Sequence, residues 1–138
     1  MNLKTEIFRA YDIRGKYPSE VNSETFFEIG FALGKYFSKN KNNKFFISQD
    51  VRLSSPQLKK SFVKGLSGGS DGKLDIIDIG LSSTPMLNFF AIKFKAPGAI
   101  ITASHDPKEY NGLKVIGSNA EILSGKEVLE IMKIESRI

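Results

Sequence analysis

The 138-residue sequence contains no cysteine and no tryptophan, and its single histidine is His105. The missing cysteine excludes disulfides, thiolate metal sites and cysteine nucleophiles, and fits a reducing compartment. One imidazole excludes any site that needs two, such as a histidine-rich zinc centre. No apolar run approaches the ~20 residues of a membrane-spanning helix. The opening Met1-Asn2-Leu3-Lys4-Thr5-Glu6 lacks the apolar stretch of a secretory signal. A cytoplasmic protein with no membrane partner is expected. Neither sign of charge dominates: 20 basic and 15 acidic residues leave +5. The pI near 9.4 permits an anionic ligand without naming one. The densest basic stretch, Lys35, Lys39, Lys41 and Lys44, contains no arginine and reads as a solvated helix end and loop. Nucleic-acid binding calls for basic residues interleaved with aromatics on one face, so no nucleic-acid partner is expected.

What is present suits one globular domain with its own core: 41% of residues are hydrophobic and 25% charged. Phe26, Ile29, Gly30, Leu33, Tyr36 and Phe37 follow one helical face, with Ser23 placed to cap it. Lys44–Ser48 is short, aromatic and β-branched, hence a strand. Ser55-Pro56 reads as cap and first helical residue, followed by the stripe Leu58, Phe62 and Leu66 and a glycine-rich end at residues 68–72. A second strand spans Leu74–Ile79. Thr84-Pro85 opens a third helix with the same cap logic, carrying Met86, Phe89, Phe90 and Phe94. Strands follow at Gly98–Thr102 and Leu113–Ile116, then a closing helix at Glu127–Ile134. Strands separated by helices imply βαβ units. The expected fold is α/β, a mixed, largely parallel four-stranded sheet sandwiched between helices, forming one domain over residues 1–138. The eleven Phe are expected to fill the sheet–helix interface. Ligands of such sheets bind in loops beyond the carboxyl ends of strands. Three loops qualify: those after Phe8–Ile13, after Ser48 and after Thr102.

The third loop is chemically the richest. Thr102-Ala103-Ser104-His105-Asp106-Pro107 and Tyr110-Asn111-Gly112-Leu113-Lys114 pack a hydroxyl, an imidazole, a carboxylate, an amide and an ammonium into thirteen residues. A Ser-His-Asp hydrolase fails on spacing, because a triad assembles from distant segments, and G-x-S-x-G is absent. Phosphoryl transfer fits better. It needs a hydroxyl acceptor, positive charge around the phosphoryl oxygens and a group that moves protons. Ser104 can be the acceptor, Lys114 and Arg14 can supply charge, and His105 or Lys114 can move protons. The plainer alternative is a surface turn set by Asp106-Pro107 and Asn111-Gly112.

These residues, in this order, closely resemble the phosphoserine loop of the α-D-phosphohexomutases. Phe8-Arg9-Ala10-Tyr11-Asp12-Ile13-Arg14-Gly15 resembles the same family's opening motif. Gln49-Asp50-Val51-Arg52-Leu53-Ser54-Ser55 resembles its Gly-Arg-Asp-x-Arg-x-Ser segment, and Asp78-Ile79-Gly80 with Thr84-Pro85 matches its next element. The opening motif and Tyr110-Asn111-Gly112 are similar to the phosphomannomutase/phosphoglucomutase branch. A phosphoglucosamine mutase relative is disfavoured by both. A non-catalytic phosphosugar-binding module would be expected to have lost Ser104 or Lys114, and both are present.

The resemblance implies the first of four domains, with the remaining domains of the same enzyme as partners and a mannose or glucose phosphate as substrate. It implies that Ser104 carries the phosphoryl group exchanged with the sugar through a bisphosphosugar intermediate. It also implies that Mg²⁺ contacts this phosphate, its other ligands lying in a second domain, since Asp-x-Asp-x-Asp occurs nowhere here. Lys114 and His105 match residues beside the transferring phosphate. Tyr11 and Arg14 match residues of the cleft, Arg14 being suited to phosphate as a planar double donor. Asn111 belongs with them on the phosphate side of the loop, where with Gly112 it also shapes the turn. Two departures stand out: Asp106 replaces the usual Asn, placing a carboxylate beside the phosphoserine, and Ser48-Gln49 replaces the usual Gly-Arg, removing a cation while Arg52 remains.

Overall fold

A computed structural model describes residues 3–39 and 43–135. Of the basic stretch, Lys41 lies outside the described residues, while Lys39 and Lys44 pair with Glu135 and Asp75. After a short 3₁₀ turn come β1 (Ile13–Lys16), α1 (Ser23–Ser38), β2 (Lys44–Gln49), α2 (Ser55–Gly69), β3 (Asp75–Leu81), α3 (Thr84–Phe94), β4 (Gly98–Ile101), β5 (Tyr110–Ile116), β6 (Ile122–Leu123) and α4 (Gly125–Glu135). The sheet order is β1-β5-β4-β2-β3, with β6 pairing β5. The run β4-β2-β3 is parallel. β5 enters antiparallel between β4 and β1. Helices cover both faces, as expected of an α/β sandwich.

Among the described residues the sheet has six strands rather than four. The sequence conceals the extra two because neither looks like a strand. β1 is Ile-Arg-Gly-Lys, and β6 is two residues long. Pairing rather than propensity makes β1 a strand: Ile13–Lys16 run antiparallel to Tyr110–Leu113. The same pairing draws Tyr110-Asn111-Gly112 into β5, three residues ahead of the expected start, so Asn111-Gly112 is strand and not a turn. Gly112 permits this. A Cβ there would overlap the Ile13 carbonyl.

At the three helices with an expected cap, the N-cap position falls one residue earlier than expected. Asn22, not Ser23, caps α1: its side chain accepts from Thr25 N–H at 3.0 Å while its own N–H donates to Thr25 Oγ1 at 2.9 Å. Ser83, not Thr84, caps α3 through Met86 N–H. Ser54 precedes α2 and does not cap it with its side chain.

The two faces of the sheet are covered unequally. α1, α2 and α4 pack on one face over Phe26, Phe45, Ile47, Phe62, Ala99, Ile101, Leu113 and Val115. On the other face α3 lies alone over Phe46, Ile100 and Ile116, holding them with Leu87 and Ala91. The phenylalanines therefore do not all fill the interface. Phe26, Phe45, Phe46 and Phe62 do, but Phe89 and Phe94 on α3 are 56% and 43% exposed. A one-sided helix has room for a single buried stripe, and α3 carries more apolar residues than that stripe holds.

Candidate active site

Crossover helices begin beyond the carboxyl ends of parallel strands, so the loops there crowd together. An open cleft of about 1120 Å³ lies at this edge. Its walls are the loop after β2 (Asp50 to Ser54), the loop entering α3 (Ser82 to Pro85) and the β4–β5 connection carrying Ser104, His105 and Asp106. Tyr17 and Lys114 complete it. Two of the three expected loops form walls. The loop after Phe8–Ile13 contributes only Tyr17, and the α3 entry forms the third wall. Its signal, Ser82-Ser83-Thr84-Pro85 directly after a strand, was visible in the sequence as a helix start only.

The β4–β5 loop is shaped around Ser104. This residue has φ +56°, in the left-handed region that L-residues rarely occupy. Its N–H donates to Thr102 Oγ1 at 3.0 Å. Its side chain is exposed, and its hydroxyl makes no hydrogen bond among the described residues. Arg52 grips the loop from beneath. Its Nη1 donates to the carbonyls of Pro107 (2.8 Å) and Tyr110 (3.0 Å), and its Nη2 to those of Ser104 (3.0 Å) and Asp106 (2.8 Å). Arg52 is thus a positive charge directed at main chain, not one held out to solvent.

The segment Asp50-x-Arg52-x-Ser54-Ser55 is one hydrogen-bonded unit. Asp50 accepts from the Arg52 N–H, from Arg52 Nε at 3.3 Å and from Ser55 Oγ at 2.7 Å. Asn111 is fully buried, and its amide donates to Ser54 Oγ at 2.7 Å and Ser55 Oγ at 3.0 Å. Its carbonyl oxygen takes the Gly112 N–H. Asn111 therefore presents nothing to the cleft. It ties β5 to the start of α2, which corrects its expected place on the phosphate side. Ser48 is buried with its hydroxyl unpartnered.

Arg14 sits on β1 opposite Gly112. It pairs with Asp12, and its Nη1 lies 3.3 Å from Asp106 Oδ2. Burial disfavours the charged guanidinium, but hydrogen bonds and charges from Asp12 and Asp106 outweigh this and raise its pKa above the usual arginine value. The carboxylate that departs from the family's Asn thus has a cation beside it. Arg14 does not itself line the cleft and reaches the loop through Asp106. Tyr11 is 73% exposed, so it is not a core tyrosine, and it too lies outside the cleft lining. Tyr17, which the sequence reading passed over, lines the cleft instead. Lys114 is opposite Ile100 in the β4–β5 register and lines the cleft half-buried, with no ion pair among the described residues. His105 is exposed on the same cleft. The structure thus gathers Ser104, His105 and Lys114 on one cleft and sets Tyr11, Arg14 and Asn111 around its margin or beneath it.

Fold and site together define an α/β/α domain that presents an unengaged serine hydroxyl, with an imidazole and an ammonium, at the carboxyl edge of its sheet. The sequence model described as phosphoglucomutase/phosphomannomutase, α/β/α domain I, matches residues 5–138. The chain belongs to that family. It is 40% identical over 119 residues to a phosphomannomutase of Escherichia coli, covering 86% of this chain and 25% of that protein. It is also 40% identical over 119 residues to one from Klebsiella pneumoniae, covering 86% and 72%. A solved phosphoglucomutase/phosphomannomutase family protein from Burkholderia thailandensis superposes with a TM-score of 0.82 at 26% identity, over 97% of this chain and 30% of that one. The chain thus spans about a quarter of the length of the E. coli relative.

Proposed function

We propose that this chain is the phosphoserine-bearing first domain of a four-domain, cytoplasmic phosphohexomutase that interconverts hexose 1-phosphates and 6-phosphates of mannose or glucose. The observation that carries this reading is the free, exposed Ser104 hydroxyl on a tightly held loop, facing a cleft shared with His105 and Lys114.

In the transfer, Ser104 Oγ forms a bond to phosphorus as the bond from phosphorus to the sugar oxygen breaks. The hydroxyl proton leaves to His105, and the departing sugar oxygen takes up a proton, which the Lys114 ammonium can supply. Lys114 offsets the negative charge spread over the phosphoryl oxygens. The phosphoryl group on Ser104 passes to a free hydroxyl oxygen of a hexose monophosphate, the bond from Ser104 Oγ to phosphorus breaking as the new one forms; the resulting bisphosphosugar reorients and hands its other phosphoryl group back to Ser104 by the transfer just written. The resemblance also implies Mg²⁺. The described residues hold no group of three or more His, Cys, Asp or Glu placed to bind a metal. Among the described residues, a phosphate on Ser104 is the ligand that this domain could offer such an ion. Since one end of the bisphosphosugar would be held and the other left free, the domain alone does not turn over.

The test uses a polypeptide carrying all four domains. After incubation with a hexose 1,6-bisphosphate, phosphopeptide mapping should locate one phosphoryl group at Ser104. A phosphoryl group at another residue, or mutase turnover surviving in Ser104→Ala, would overturn the reading.

A further inference from the structure

The β4–β5 loop has an unusual foundation. Four of its carbonyl oxygens, those of Ser104, Asp106, Pro107 and Tyr110, converge on the single guanidinium of Arg52 at 2.8–3.0 Å. That side chain is 12% exposed, and its Nε is turned to the Asp50 carboxylate. A planar fork with five donors can satisfy this set; the compact ammonium of lysine cannot.

Two consequences follow for the residue at the loop's tip. Ser104 has φ +56° and is held by its own two backbone bonds, its N–H to Thr102 Oγ1 and its carbonyl to Arg52, inside a turn closed by the Asp106 N–H on the Ala103 carbonyl at 3.1 Å. A trans peptide is planar, with N–H and C=O pointing opposite ways. With the Ser104 carbonyl drawn down to Arg52, the His105 N–H points away from it. That N–H has no hydrogen-bond partner among the described residues. The charge-assisted bond at the carbonyl also polarises the peptide and makes this N–H a stronger donor.

We infer that Arg52 is the positioning residue of this site: it holds Ser104 in the left-handed conformation and turns the His105 N–H outward, as a donor for an anion carried on the Ser104 side chain. The final clause rests on the reading of Ser104 as phosphoryl acceptor; the grip on the loop does not. Arg52 has its donors on main chain and on Asp50, so it serves the transfer without touching phosphate.

The experiment is NMR on the isotopically labelled chain with Arg52→Ala and Arg52→Lys, followed by phosphoryl transfer from a hexose 1,6-bisphosphate in the four-domain polypeptide. In both variants the Ser104 Cα and Cβ shifts should leave the left-handed range, while residues of the α1–α2 face keep theirs. Millimolar guanidinium should restore the Ser104 shifts in Arg52→Ala, and methylammonium at equal ionic strength should not. Transfer to Ser104 should slow by about a hundredfold in Arg52→Lys with KM little changed, the effect of a displaced nucleophile. If Arg52→Ala does not fold, Arg52→Lys carries the same readouts. Unchanged Ser104 shifts in either variant would overturn the grip. Displaced shifts with undiminished transfer would overturn the positioning role. Displaced, guanidinium-rescued shifts in a protein whose wild type takes up no phosphoryl group would uphold the grip and sink the phosphoserine reading instead.

Discussion

The two faces of the sheet do different work. Among the described residues, twenty-three buried apolar residues form one continuous cluster under α1, α2 and α4; under α3 there are six. On the first face α1 and α2 approach so closely that a Cβ at Gly30, Gly34, Gly65 or Gly69 would overlap a carbonyl of the opposite helix. On the second, α3 covers the middle strands and stops. Beside it Lys114 rises from β5, and the Ser104 loop closes over Arg52. Burial of apolar area is the main favourable term in folding, so the first face carries most of the stability. The second is thereby free to leave polar groups uncovered. Substitutions on one face should change stability and spare the site; those on the other should do the reverse.

The sharpest separation is expected at Ser104. In a four-domain enzyme, Ser104→Ala should lower mutase activity by about a thousandfold or more while the melting temperature stays within error, because the exposed hydroxyl supports nothing. A melting shift of several degrees would blur the division between the faces. Phe62→Ala is the mirror case. Phe62 is fully buried against Phe45, and its truncation should cost about 3–5 kcal/mol in urea unfolding, with the Ser104 and His105 amide resonances unmoved. Gly65→Ala adds a methyl where the Phe27 carbonyl already stands. Overpacking of this kind should destabilise by about 1–3 kcal/mol, and a neutral result would mean that the helices separate easily. The smallest effect is expected at Asp106→Asn. Losing the partly exposed pair with Arg14 should cost less than about 1 kcal/mol. Activity should be similar or higher, since a negative charge beside the acceptor is removed. A hundredfold loss would show that the carboxylate itself is required.

Much of this division was legible in the sequence. The central parallel strands β2 and β4 read as short apolar runs because both their faces are buried, and α1 and α2 show a plain helical stripe because one face of each is buried. The Ser104 loop stood out because its residue types are dense and its order matches a family. Other features were hidden for physical reasons. β1 and the first residues of β5 are strands through pairing with each other, which no local propensity records. Asn111 looks like a turn or ligand residue, and only the packing of β5 against the start of α2 shows its amide to be engaged. Arg52 looked like a spare cation for phosphate. Its role depends on four carbonyls 52–58 residues away in the chain. Tyr11 was expected on the cleft and Tyr17 was not, because only the pairing of β1 with β5 places Tyr17, just past the strand's end, against the cleft.

The connection bearing Ser104 joins two neighbouring antiparallel strands. Its base is closed by the β4–β5 ladder and by the Thr102 N–H bond to the Gly112 carbonyl at 3.0 Å. A segment with both feet planted side by side in a sheet has no hinge about which to swing, unlike a lid tethered at distant points. On the proposed function, the Ser104 oxygen is therefore the stationary partner of the transfer. The gap to a phosphoryl donor has to be closed by movement of the donor, or of whatever carries it, toward this domain.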